Sequence, residues 1–158
     1  MKQLWVEQYR PNDVDGYVFR DDTQREQVKQ WIKEGSIPHL LFSGAAGIGK
    51  TTLAKLLITG LEIDQYDLLE LNASRENNVD TVRERITSFV STMPFGKFKI
   101  VLLDEADYLS PNAQAALRGV METYADTARF VLTCNYPHKI IPAIHSRCQG
   151  FHIEKVDH

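Results

Sequence analysis

Two periods organise the apolar residues of this chain. Leu40-Leu41-Phe42 is a short unbroken apolar run before Ser43, and it reads as a buried strand. Phe98-Lys99-Ile100-Val101-Leu102-Leu103, ending in Asp104-Glu105, is longer; continuous apolar character of this kind suits a central parallel strand covered on both faces. Further strands are expected over Tyr66 to Leu71 and Arg129 to Thr133, with a short last one at Phe151-His152-Ile153. Between them the spacing turns helical. Val28, Trp31 and Ile32 form one stripe, entered at Asp22-Thr23-Gln24-Arg25-Glu26 with Thr23 and Glu26 at capping-box spacing, and closed by Gly35. Leu53, Leu56, Leu57 and Leu61 form a second, and Val79, Val82, Ile86, Phe89 and Val90 a third. Ala113, Leu117, Val120, Met121 and Tyr124 form a fourth, opened by the cap and proline of Ser110-Pro111.

Strands alternating with helices predict an α/β architecture with a mostly parallel sheet, right-handed crossovers and a ligand site outside the carboxyl ends of the strands. The 158 residues suit one domain, and 43% hydrophobic with 25% charged residues is a globular balance. No apolar run approaches the length of a membrane span, and the start, Met-Lys-Gln-Leu-Trp-Val-Glu, has no signal-peptide core. Cys134 and Cys148 supply neither a disulfide framework nor a metal quartet, so a reducing, cytoplasmic setting is expected. His138, His145 and His152 recur every seven residues, which is no zinc spacing. A formal net charge of −3 argues against a protein that holds nucleic acid by bulk positive charge, while leaving room for a local phosphate-contacting patch.

Chemistry concentrates between the first strand and the helix after it. Gly44 to Thr51 fit G-x-x-x-x-G-K-[ST], the phosphate-binding loop. Gly44, Gly47 and Gly49 permit backbone angles that turn successive N–H groups inward. The helix start adds partial positive charge. Lys50 supplies a full charge for β- and γ-phosphates, and the Thr51 hydroxyl is a candidate Mg²⁺ ligand. Asp104-Glu105 is the second nucleotide motif: Asp104 to hold Mg²⁺, Glu105 to orient and deprotonate the attacking water. Asn135 ends the next strand, where a neutral amide suits holding that water or the γ-phosphate as well as it suits a plain turn before Tyr136-Pro137. Arg147, in Ser146-Arg147-Cys148, has no partner that the sequence identifies. Near the start, Trp5, Val6 and Tyr9 are too apolar for a free tail; an arm packed on the domain edge and an arm lining a base pocket both remain open.

Leu4-Trp5-Val6-Glu7-Gln8-Tyr9-Arg10-Pro11, the Gly44–Thr52 loop, Leu71-Asn72-Ala73-Ser74, Leu102-Leu103-Asp104-Glu105-Ala106-Asp107, Thr133-Cys134-Asn135 and Ser146-Arg147-Cys148 occur in that order. Together they resemble the AAA+ ATPase module of a clamp-loader small subunit, the replication factor C family of archaea, eukaryotes and phages, over almost all of residues 4–153. The resemblance implies a P-loop NTPase fold: a three-layer αβα sandwich on a mostly parallel five-stranded sheet, the AAA+ base subdomain. It implies ATP and Mg²⁺ as ligands. Val6, Glu7, Gln8, Tyr9 and Arg10, with Val18, would line the adenine side, as part of an arm over residues 1–20. Gly44, Ala45, Ala46, Gly47, Ile48, Gly49, Lys50, Thr51 and Thr52 would hold the phosphates, with Thr51 and Asp104 on the metal. Asn135 would sense the γ-phosphate. Arg147 would be an arginine finger acting in trans, on ATP held by a neighbouring subunit. Arg83 matches a position that contacts template-strand phosphate, and Gln114 and Arg118 lie where the family couples DNA contact to catalysis. The implied partners are the other subunits of a pentamer, a sliding clamp and primer–template DNA, with no membrane.

The chain reaches Val156-Asp157-His158 where the family's helical lid would begin. Lid and collar are therefore expected to be absent from these residues, leaving a monomer that binds ATP weakly and hydrolyses it very slowly alone. Two other readings compete with a clamp-loader motor. One is a different AAA+ remodelling ATPase, such as a helicase loader or a Holliday-junction motor, against which the Ser-Arg-Cys and Tyr-Arg-Pro elements argue. The other is a non-hydrolysing nucleotide-binding scaffold, against which Lys50, Asp104 and Glu105 argue and for which the expected absence of the lid argues.

Overall fold

The computed structural model describes residues 22–75 and 79–154. Five helices, α1 (Asp22–Glu34), α2 (Lys50–Gly60), α3 (Val79–Val90), α4 (Pro111–Thr123) and α5 (Pro142–Arg147), alternate with five strands, β1 (Leu40–Ser43), β2 (Leu68–Asn72), β3 (Lys99–Asp104), β4 (Ala128–Cys134) and β5 (Gln149–His152). The strands form one sheet in the order β2-β3-β4-β1-β5, and every pairing is parallel.

The period-2 geometry of a strand explains the two cores. Along β3, Ile100 and Leu102 face one side, with Leu40 and Phe42 of β1 and Val131 of β4; there they meet Val28 and Trp31 of α1 and Leu53 and Leu57 of α2. Val101 and Leu103 face the other side, with Leu41, Phe130 and Leu132; there they meet Ile86 of α3, Leu117 and Met121 of α4 and Ile144 of α5. The result is the expected three-layer αβα sandwich. The chain leaves β1 onto the α2 face and β4 onto the α5 face. β1 and β4 are neighbours, so the sheet has a switch point between them, where open α/β sheets bind ligands.

Several boundaries differ from the sequence reading. The strand expected from Tyr66 begins at Leu68, because Asp64 accepts a hydrogen bond from the Tyr66 amide and caps a 3₁₀ turn over Gln65–Asp67. The last strand starts earlier than Phe151, at Gln149, which stands beside Leu40. Asp22 is already helical, so Thr23 lies inside helix α1 and not at its cap. The Ser110 cap is as expected: its hydroxyl accepts from the Ala113 amide, with Pro111 opening α4. No described helix is long and apolar enough to cross a membrane.

Candidate functional site: a phosphate-loop cleft

The loop between β1 and α2 has a conformation that its glycines impose. Gly44 has φ 150°, and a Cβ there would stand 2.4 Å from the Ile153 carbonyl oxygen and 2.3 Å from Ile48 Cδ1. Gly49 precedes α2 with φ 97°, a left-handed conformation that side chains disfavour. The Gly44 amide donates to the Cys134 carbonyl at 3.2 Å, which fastens the loop to the end of β4. The loop then delivers Lys50 as the first residue of α2, only 8% exposed.

Lys50 Nζ donates to the carbonyls of Gly44 (2.6 Å) and Ala45 (2.9 Å) and to Asn135 Oδ1 (2.7 Å). The lysine is thus held by its own loop and by the end of β4. Burial pulls its pKa below the usual lysine value, and the neighbouring Asp107, Glu105 and Asp104 carboxylates push it back up.

The carboxyl end of β3 supplies the acids. Asp104 Oδ1 accepts from the hydroxyls of Thr51 and Thr133, both at 2.9 Å. Glu105 adopts the left-handed conformation, φ 57° and ψ 47°. For a non-glycine residue that conformation is strained by about 1–3 kcal/mol. Its amide donates to Thr133 Oγ at 3.0 Å. One buried threonine hydroxyl therefore orients both acids. In the sequence Thr133 ends an expected strand and stands two residues before Asn135, and neither position assigns it a role; the parallel register of β3 and β4, Leu103 beside Leu132, is the signal that brings it to Asp104.

Lys50, Thr51, Asp104, Glu105, Thr133 and Asn135 border one cleft of about 350 Å³ together with Ala46, Gly47, Gly49, Thr52 and Asn72. The volume lies within the range of small-molecule sites. All its candidate metal donors are oxygens. Among the described residues no cluster of three or more His, Cys, Asp or Glu side chains could cage an ion. A Thr51–Asp104 pair of hard oxygen donors fits Mg²⁺, which is usually held by few protein groups, with phosphate and water completing the shell.

Other residues singled out in the sequence lie elsewhere. Arg147, at the end of α5, does not line this cleft. Its side chain is 51% exposed and pairs with Glu122 of α4, which also binds Arg118. The sequence identifies no partner for Arg147; the fold supplies Glu122. Gln114 is not an exposed polar residue: it is 1% exposed, its Nε2 donates to the Leu109 and Lys139 carbonyls, and its Oε1 accepts from the Ile141 amide. It pins the start of α4 to the segment before α5. Arg83 is exposed on α3, beside a small apolar groove between α3 and α4. Val6, Glu7, Gln8, Tyr9, Arg10 and Val18 lie outside the described residues.

Comparison with known proteins agrees with this geometry. Residues 40–154 match the family described as "ATPase family associated with various cellular activities (AAA)". A "Replication factor C small subunit" of Methanoregula boonei is 50% identical over 149 residues, covering 92% of this chain and 46% of that protein. Its counterpart in Methanococcus vannielii is 46% identical over 155 residues, covering 96% and 49%. The chain thus spans about half the length of the curated relatives it matches. Among solved structures, the Thermotoga maritima RuvB Holliday junction branch migration motor superposes with TM-score 0.71 at 17% identity, covering 92% of this chain and 48% of that one. A DNA polymerase III gamma subunit-related protein of the same organism superposes with TM-score 0.64 at 18% identity, covering 81% and 45%. At that identity the likeness is one of fold.

Proposed function

This chain belongs to the ATPase family associated with various cellular activities, and from that premise we propose that it is the motor module of a clamp-loader small subunit. In this reading it binds Mg·ATP and hydrolyses it to ADP and phosphate, and the cycle opens a sliding clamp and places it on primer–template DNA with the other subunits of a pentamer. The observation that carries the proposal is convergence: Lys50, Thr51, Asp104, Glu105 and Asn135 come from separate stretches of sequence and border one cleft. Relatives at 46–50% identity over most of the chain support the clamp-loader assignment. A Holliday-junction motor is supported by fold likeness alone.

The chemistry follows from the residues. The amides of Gly44–Thr52 and the start of α2 would cradle the phosphates. Lys50 would exchange the Gly44 and Ala45 carbonyls for phosphate oxygens. Thr51 and Asp104 would hold Mg²⁺, which neutralises charge on those oxygens when bound. Glu105 lines the cleft, and no hydrogen bond among the described residues claims its carboxylate. It would take the proton of a water as that oxygen bonds to the γ-phosphorus and the bond to the bridging oxygen of ADP breaks. Asn135 would hold the water or the γ-phosphate. Arg147 does not line its own cleft and would act on a neighbour's. Val6 to Arg10 and Val18 would take the adenine side, and exposed Arg83 a template phosphate.

Glu105→Gln tests the reading. The variant keeps the shape and the metal site, so Mg·ATP affinity should stay within about threefold while turnover in a complete assembly falls by roughly 10²–10⁴. Undiminished turnover would remove Glu105 as the base.

A further inference from the structure

Asp107 closes the acidic string that begins at Asp104, yet it does not line the cleft. It sits in a 3₁₀ turn over Ala106–Tyr108. Its Oδ2 accepts from two successive amides at the end of β4, Asn135 at 3.2 Å and Tyr136 at 3.0 Å. Two neighbouring N–H groups aimed at one oxygen form a small anion-binding concavity, and here the anion is a side chain from the adjacent strand's turn. Turn aspartates usually bond amides one or two residues along; this bond spans 28 residues. The other oxygen, Oδ1, is buried without a hydrogen-bond partner among the described residues. An unpaired buried carboxylate oxygen is costly, and the two amide bonds to Oδ2 offset part of that cost. The Asn135 backbone that Asp107 holds carries the amide that accepts from Lys50 at 2.7 Å. Asp107, Asn135 and Lys50 are thus linked in series, from the end of β3 through the end of β4 to the phosphate loop.

We propose that Asp107 is a positioning residue: it fixes the turn after β4 so that the Asn135 amide stays aimed at Lys50 and at the terminal phosphate Lys50 would hold. The inference rests on the nucleotide reading of the cleft for its second half and on hydrogen bonds alone for its first. A positioning role predicts that Asp107 sets the discrimination between tri- and diphosphate and has little effect on affinity for the diphosphate. Its effect should pass through Asn135.

The experiment has two readouts on wild type, Asp107→Ala, Asp107→Asn, Asn135→Ala and the Asp107→Ala/Asn135→Ala double variant. The first is amide hydrogen exchange at residues 135 and 136 in nucleotide-free protein. Asp107→Ala should speed exchange at both by about tenfold or more, and Asp107→Asn, which keeps an acceptor, should restore most of the protection. Unchanged exchange overturns the proposal. The second is the affinity ratio between a non-hydrolysable ATP analogue and ADP, each with Mg²⁺. Asp107→Ala should lower the ratio about tenfold with ADP affinity unchanged, and should add nothing in the Asn135→Ala background. Equal losses for both nucleotides, or a full further loss in that background, also overturn it. Faster exchange with no nucleotide bound by wild type would instead contradict the nucleotide reading and leave the fastening of the turn standing. Should Asp107→Ala fold poorly, Asp107→Ser, with one shorter acceptor, is measured against the same outcomes.

Discussion

A single hydroxyl at Thr133 serves both acids of the cleft, accepting from the Glu105 amide and donating to Asp104. Thr133→Val keeps the shape and removes both bonds. It leaves the strained Glu105 amide without its acceptor, so the variant should be less stable by about 1–3 kcal/mol, read as a lower urea midpoint. Turnover in an assembly should fall further than Mg·ATP affinity, because the metal-side contact of Asp104 with Thr51 remains. A Thr133→Val variant with unaltered kinetics would mean that Glu105 is oriented by something else. At this scale Lys50, Thr51, Asp104, Glu105 and Asn135 were legible in the sequence, because each sits at a fixed offset within a short motif. Thr133 and Asp107 were not. Their bonds cross from β3 to β4 over 28 or 29 residues and exist only once that parallel register is set. The burial of Gln114 was hidden for a related reason: only the fold lays the segment at Lys139–Ile141 over it.

At the scale of elements, the alternation along β1, β3 and β4 was plain in the sequence, since a central parallel strand must be apolar on both faces. Short strand ends were less so, because they depend on single polar anchors. Asp67 accepts from the amides of Phe95 and Gly96 and so fixes where the turn before β2 gives way to strand. His39 is another such anchor. It stands at the start of β1, its Nδ1 accepts from the Phe130 amide of β4 at 3.0 Å, and its carbonyl accepts from Gln149 of β5. Burial first, and then the charge of Arg129, pull its pKa from 6.5 down to about 4. The unfolded chain therefore binds the extra proton more readily between these values. The contribution is fully present above pH 6.5 and is lost as pH falls toward 4, reaching about 2–3 kcal/mol. Urea midpoints from pH 7.5 to 4.5 should fall more steeply for wild type than for His39→Gln. Parallel slopes would show that His39 does not carry the dependence.

For the whole molecule, Arg147 sits half exposed, does not line its own cleft, and is paired with Glu122. The sequence could not show that pairing, since α4 and α5 meet only through the fold. If Arg147 completes a neighbour's site, an assembly in which one subunit carries Arg147→Ala should lose turnover next door, by roughly 10³-fold or more at the affected site. The mutated subunit should still hydrolyse its own ATP, provided its neighbour keeps the arginine. A defect confined to the mutated subunit's own site would place Arg147 in cis. The net charge of −3 argues against nucleic-acid binding by overall charge, so the proposed DNA contact would rest on placed residues such as Arg83.

All of these roles presuppose that the cleft at the ends of β1, β3 and β4 holds a nucleoside triphosphate by its phosphates. Calorimetric titration of Mg·ATP into wild type and Lys50→Ala, with unfolding temperatures recorded alongside, tests that most directly. Removing the loop's buried cation should weaken binding by about 100-fold, since hydrogen bonds to charged groups contribute the most, while both proteins unfold cooperatively as folded domains. Equal affinities in two folded proteins would contradict the assignment of this cleft.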